Sequence, residues 1–234
     1  QTPGRKVHTV AQSSFEAWTK YYLQDANSPN LTVSYYTKGA LVALCLDLSL
    51  RQHGVRNHSV TLDDVMRGLW KRCHAGPMQE ADLLEVLHEL TGRSWRSEIN
   101  AWVHSTRELP LEKVLTAHGV TLHEDPAQLA QALGLRLTED RDVLIKQVLR
   151  DSPAHSAGFA PADEWLGVEV GNAIWRLQKL DDVLLYAGWG KKITALVSRD
   201  RQILRLSLTL PKANAHTTWR LAIGDAKKVK AWLS

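Results

Sequence analysis

The sequence predicts a two-domain chain of α plus mainly β class, helical to about residue 123 and built of short strands after it. Two observations lead there. Up to Gly119 the apolar residues recur at three- and four-residue intervals between short loops of turn formers, the pattern of packed amphipathic helices. After Pro126 short runs alternate apolar and polar residues and are bounded by Gly, Pro, Asn and Asp, the pattern of strands. A length of 234 residues and an apolar fraction of 44% are enough for one to two domains with a sizeable core.

Taken in order, Ser13 and Glu16 have the spacing of a capping box, in which each side chain satisfies the other's free amide. A helix is expected through Ala17, Trp18, Tyr21 and Tyr22, ending in the turn formers Asp25 to Asn30. The central helix is predicted from about Ser34 to His53. Ala40, Leu41, Leu44, Cys45 and Leu48 repeat with helical period, Ala and Leu favour helix, and Gly54 is placed to leave it. Thr61 with Asp63 and Asp64 offers an N-cap and an acidic first turn to a helix carrying Val65, Leu69 and Trp70. Helices are predicted next at Gln79 to Thr91 (closed by Gly92), at Ser94 to Thr106, and at Leu109 to Gly119 with Pro110 in its first turn. The boundary is placed between His123 and Gln128.

Beyond it, strands are predicted at Leu133–Leu137, Val143–Val148, Glu164–Val168, Ala173–Trp175, Ile193–Val197 and Ile203–Leu210. Short helices are predicted at Asp151–Gly158 and Leu180–Gly188, and a tail helix from about Asp225. Many short strands with two helices predict a partly open β-barrel. Trp165, Trp175 and Trp189 are expected as core or rim residues, following the usual burial of tryptophan.

Several function classes find no support. The net charge of +4 is mild and the basic residues are scattered, whereas a nucleic-acid footprint needs a basic stripe. No run approaches the ~20 apolar residues that span a bilayer. The two cysteines, Cys45 and Cys73, form no C-x-x-C pair, which fits a reducing compartment, so cytoplasm is favoured and periplasm is the alternative. A zinc peptidase motif H-E-x-x-H is absent: His88-Glu89 has Gly92 where the second histidine belongs, and His123-Glu124 is followed by a proline. Phosphate loops, dinucleotide fingerprints and the G-x-S-x-G elbow are absent too. What remains is Tyr35, Tyr36 and Lys38 at the start of the central helix. They either pack there or aim a phenol and an ammonium at developing negative charge.

The segment Ser34 to Asp47, together with Ser13–Trp18, Asn27–Asn30 and Leu109–Glu112, resembles the glycyl aminopeptidase family, zinc peptidases with a C-terminal PDZ domain. The resemblance runs through nearly the whole chain in order. It implies the helical end of a thermolysin-like catalytic domain over residues 1–123, a PDZ domain over 124–212 and a tail with a helix over 213–234. Tyr36-Thr37-Lys38-Gly39 is similar to the Y-x-K-G of the broader gluzincin aminopeptidases. There the tyrosine donates to the oxyanion of the tetrahedral intermediate. By resemblance Tyr36 has that role, with Tyr35 the alternative. The family's zinc ligands and glutamate base have no counterpart here and are expected upstream of Gln1. The chain then resembles a C-terminal piece that holds no zinc and is inactive alone, from a parent that binds zinc and cleaves peptides with small N-terminal residues such as glycine.

Ala132-Leu133-Gly134-Leu135 resembles the G-L-G-F carboxylate loop of PDZ domains, with alanine for the first glycine. Asp151–Phe159 is similar to the S-P-A-x-x-A-G-L stretch of bacterial ones. The resemblance implies that Leu133, Gly134, Leu135, Leu137 and Leu184 line a groove for peptide C-termini, a chain end being added as a strand. The alternative is a non-catalytic helical scaffold with a peptide-binding module. Nucleic acid and membrane are not expected as partners.

Overall fold

The computed structural model describes residues 2–53 and 59–233. Gly54, expected to end the central helix, lies outside the described residues. After a 3-10 turn at Pro3–Lys6, the helices are α1 (Val10–Phe15), α2 (Ser28–Leu31), α3 (Tyr35–Gln52), α4 (Leu62–Cys73), α5 (Glu80–Thr91), α6 (Arg96–Trp102) and α7 (Leu111–Ala117). Strand β1 (Val120–Pro126), helix α8 (Leu129–Leu133) and strands β2 (Leu135–Glu139) and β3 (Val143–Val148) follow. Then come α9 (Pro153–Ala157), β4 (Glu164–Val170), β5 (Ala173–Arg176), α10 (Asp182–Ala187), β6 (Lys192–Arg199), β7 (Gln202–Thr209), β8 (Thr217–Ile223) and α11 (Ala226–Leu233). No helix among the described residues is long and apolar enough to cross a membrane.

The chain divides into two compact units. One holds residues 5–22, 32–122 and 221–234; the other holds residues up to Gly4, 23–31 and 123–220. The first is helical. In α3, Val42, Cys45, Leu46, Leu48 and Leu50 are all buried and do not fall on one stripe. A helix apolar on several faces must be enclosed, and α1, α4 and α7 pack around this one. The core continues through Val65, Leu87 and Trp95. Trp95 is fully buried, and its indole N–H donates to Thr91 Oγ1 at 2.8 Å. Thr91 in turn donates to the Leu87 carbonyl at 2.6 Å, so the buried polar atoms are satisfied as burial requires.

The start of this unit differs from expectation. Ser13 is not an N-cap. Thr9 accepts from Gln12 N–H, and the Gln12 side chain accepts from Thr9 N–H, closing a capping box four residues earlier. Ser13 therefore lies inside α1, where its hydroxyl meets His8 Nδ1 at 2.9 Å. The expected helix through Tyr22 becomes one π-helical turn, Ala17–Tyr21, with Tyr22 N–H donating five residues back to Ala17 at 3.0 Å. The Thr61 cap is present as a box with Asp64, and Gly92 ends α5 at φ 71°. The predicted helix Ser94–Thr106 shortens to α6.

The second unit is built on an antiparallel sheet ordered β2-β3-β4-β6-β7, with β5 also paired to β4. This corrects the barrel. The path begins at β2 and ends at β7, and those two strands do not pair, so the sheet is open. The apolar run before β2 also forms a helix, α8, in place of the first strand residues. Alternation positions the core as the pleat demands: Ile193, Ala195 and Val197 of β6 point inward with Val143 and Ile145 of β3. Trp165 is buried, its indole donating to the Gly167 carbonyl at 3.0 Å, while Trp175 is 44% exposed. β1 and β8, neither of them predicted, form a separate two-stranded ladder.

Candidate functional site

Tyr35 and Tyr36 are the first two residues of α3, after the N-cap Ser34, whose hydroxyl accepts from Thr37 N–H at 3.2 Å. The helix N-terminus favours negative charge at this end. Their rings stack at 4.3 Å, and Tyr21 lies edge-on to Tyr35 at 5.1 Å. Tyr22, on the residue that closes the π-turn, places its hydroxyl 2.9 Å from Tyr36 Oη and 3.3 Å from Tyr35 Oη. The Tyr21 hydroxyl meets Ser34 Oγ at 3.3 Å, and Trp18 flanks Tyr22 at 5.2 Å. Tyr36 is 57% exposed and Trp18 81%. The Tyr22 hydrogen bond, then that of Tyr35, lowers the Tyr36 phenol from its usual value. The Tyr35 phenol is raised, first by Tyr22 and then by Tyr36.

Lys38 does not join this surface. It is buried, and desolvation lowers its ammonium from the usual range against the opposing pull of Glu108, with the Arg5 charge acting in the same direction as burial. Of the expected phenol and ammonium, only the phenol faces solvent. Sequence reasoning assigned no role to Tyr21, Tyr22 or Trp18. The available signal was the second tyrosine pair, fourteen residues ahead of the first.

Among the described residues no group of three His, Cys, Asp or Glu side chains is placed to hold a metal ion. The described residues therefore offer zinc no ligand set.

In the other unit, α8 ends at Gly134 with φ 71°, and the Gly134 N–H donates to the Gln131 carbonyl at 3.1 Å. Its carbonyl accepts from Leu149 N–H at 2.8 Å. A Cβ there would lie 2.3 Å from Ser152 Cβ, so only glycine fits. Both backbone groups of Gly134 are thus used within the fold. Leu133 and Leu135 are core residues. Leu137 and Leu184 are half-buried at its edge. On α10, Val183 is buried and Tyr186 stacks on Trp175 of β5 at 4.6 Å. One flank of α10 is thereby covered, and Leu184 lies on the other, by the 100° step between residues. β2 ends the sheet path, so its outer edge pairs with no strand among the described residues.

The family model of the M61 glycyl aminopeptidases matches residues 1–42, a span that includes Tyr22, Tyr35 and Tyr36. The chain resembles the C-terminal portion of the glycyl aminopeptidases. An aminopeptidase N family protein from Idiomarina loihiensis has the same fold as the whole of this chain, with a TM-score of 0.86 at 26% identity over 100% of it. The chain spans 42% of the length of that structure. A PDZ domain of a carboxy-terminal protease from Vibrio cholerae, solved with peptide, is 21% identical over 38% of this chain and 95% of its own, with a TM-score of 0.28. That likeness is too partial to carry an assignment. No curated protein matches.

Proposed function

We propose that this chain is the C-terminal part of a zinc-dependent aminopeptidase acting on peptides with small N-terminal residues such as glycine. Tyr36 stabilises the oxyanion of the tetrahedral intermediate, with Tyr35 the alternative. The observation that carries this reading is the exposed Tyr36 phenol in the first turn of α3, inside the matched span. A phenol held there donates to an oxygen as it gains charge, and the interaction is worth more in the transition state than in the ground state. The helix N-terminus adds to it. Zinc belongs to the rest of the whole enzyme, and this chain alone is inactive. The domain limits proposed are 1–123 for the end of the catalytic region, 124–212 for a PDZ domain and 213–234 for the tail.

The test is peptide hydrolysis by the full-length enzyme, wild type against Tyr36→Phe, with zinc measured in both. The expected result is equal zinc and a kcat lower by roughly two to three orders of magnitude, the cost of one oxyanion donor. Wild-type kcat with full zinc would move the role to Tyr35 or remove it.

A second reading, a non-catalytic scaffold with a peptide-binding module, draws support from the free outer edge of β2. An extended C-terminal peptide adds there as a strand, between β2 and Leu184 of α10. Leu137 contributes to the rim, Leu133 and Leu135 form the floor beneath it, and Gly134 shapes the turn into the strand. Because Gly134 N–H is already bonded, the carboxylate is held by other donors. Peptide titration followed by amide shifts in β2 tests this; a library of C-terminal peptides that moves none of them argues against a groove.

A further inference from the structure

The tyrosine cluster holds more order than one exposed phenol requires. We infer that Tyr22 is a positioning residue, whose hydroxyl joins Tyr35 and Tyr36 into a one-directional hydrogen-bond chain that leaves the Tyr36 proton free for an oxyanion. This rests on the proposed role of Tyr36 and adds to it a residue and a mechanism of control.

Each phenol has one O–H to donate and an oxygen that accepts. Tyr22 lies within bonding distance of both partners, 2.9 Å from Tyr36 and 3.3 Å from Tyr35, and it cannot donate to both. If it donates to Tyr35, the Tyr36 proton closes the contact to Tyr22 and is not available outward. If it donates to Tyr36, Tyr35 donates to Tyr22 and the Tyr36 proton points to whatever binds. The shorter contact is the one to Tyr36. Charge developing beyond Tyr36 selects the second arrangement, since each bond in such a chain polarises the next. The directions of the phenol shifts agree with it, Tyr36 down and Tyr35 up.

The framework holds Tyr22 for this purpose. Its N–H is fixed on Ala17 by the π-turn, its ring lies edge-on to Tyr21 at 5.5 Å, and Tyr21 is itself bonded to the Ser34 cap. The other titratable groups of the π-turn and of the first turn of α3 are Tyr21, Lys20 and the buried Lys38; Glu16, just before the π-turn, pairs with Lys20 at 2.6 Å and with His8 at 3.0 Å. None of these is hydrogen-bonded to the three hydroxyls among the described contacts.

Two experiments separate the chain from the catalytic role. The first is phenolate absorbance against pH for this chain, wild type and with Tyr22→Phe, Tyr35→Phe or Tyr36→Phe, each checked by circular dichroism for an unchanged fold. The first phenol to ionise is expected to disappear in Tyr36→Phe and to ionise at higher pH in Tyr22→Phe. The second is steady-state kinetics of the full-length enzyme. Tyr22→Phe is expected to lower kcat about tenfold with KM nearly unchanged, and to do nothing further when Tyr36 is already Phe. An unmoved first phenol in Tyr22→Phe overturns the chain, even where Tyr36→Phe abolishes activity. A moved phenol with wild-type kcat in Tyr36→Phe supports the chain and overturns the oxyanion role. Additive losses in the double variant overturn positioning through Tyr36.

Discussion

Asn30 and Arg150 are 120 residues apart in sequence and are joined by the Asn30 carboxamide, which accepts the Arg150 backbone N–H at 2.8 Å. The same side chain donates to the Val148 carbonyl at 2.9 Å and to Asn27 Oδ1 at 2.9 Å. Asn30 is 5% exposed. It therefore satisfies two backbone groups at the end of β3, the Val148 carbonyl in a buried contact and the Arg150 N–H in a part-buried one.

Replacing Asn30 with Ala leaves both groups unpaired. The expected loss of stability is about 2–4 kcal/mol, from roughly 1–3 kcal/mol per orphaned group with some relief by water. Asn30→Asp keeps the acceptor but turns a second oxygen toward the Val148 carbonyl, and should cost at least as much. Urea denaturation of the chain reads both; an unchanged midpoint for Asn30→Ala would show that the contact is incidental.

Asp163 and Arg199 form an asymmetric pair. The carboxylate is fully buried and accepts Nε at 2.6 Å, Nη2 at 2.8 Å and Ala160 N–H at 2.9 Å. The Arg199 side chain is 31% exposed. Removing the arginine strands a buried charge, at about 3–5 kcal/mol. In Asp163→Asn the guanidinium turns toward water and the amide still accepts one bond, so the cost is nearer 1–3 kcal/mol. Arg199→Met should thus unfold at lower urea than Asp163→Asn, and the reverse order would contradict the asymmetry.

Strands β6 and β7 are joined through Asp200 and Arg201, which take φ of 51° and 67° between the paired Arg199 and Gln202. Two positive φ values make a turn whose twist suits a hairpin, and glycine is the natural second residue. Arg201→Gly relieves left-handed strain and should raise stability by about 1 kcal/mol. Calorimetry that finds a lower Tm would mean the arginine side chain contributes more than its backbone costs.

Cys45 is fully buried in α3, and desolvation pushes its thiol up to about 11. The reactive species is the thiolate, scarce near neutral pH at that value and closed off from solvent. Intact mass after iodoacetamide at pH 7.5 should therefore show modification at Cys73 alone in the folded chain and at both cysteines in urea. Modification of Cys45 at the rate of Cys73 in the native state would refute its enclosure.

Much of the helical unit was legible because its signals are local. The Thr61–Asp64 cap, the Gly92 stop and the period of α3 all act within four residues, the reach of a helical turn. The same locality explains the error at Ser13. Two capping boxes were available four residues apart, and the contact of Ser13 with buried His8 belongs to the one starting at Thr9. Val143–Val148 was read to the residue. β1 and β8 were missed because a two-stranded ladder between residues about a hundred positions apart leaves no period in either strand alone.

By itself, the sequence determined the helix periods, most caps and the core strands. Each depends on side chains close together in the chain, or on a short run of residue types. Only the tertiary structure decided that Tyr22 bridges Tyr35 and Tyr36, that Lys38 turns inward, that Gly134 is a filled cap, and that Asn30 ties residues 148 and 150. Those outcomes depend on which surfaces meet after packing, where a hydroxyl a few ångströms away counts for more than its distance along the chain.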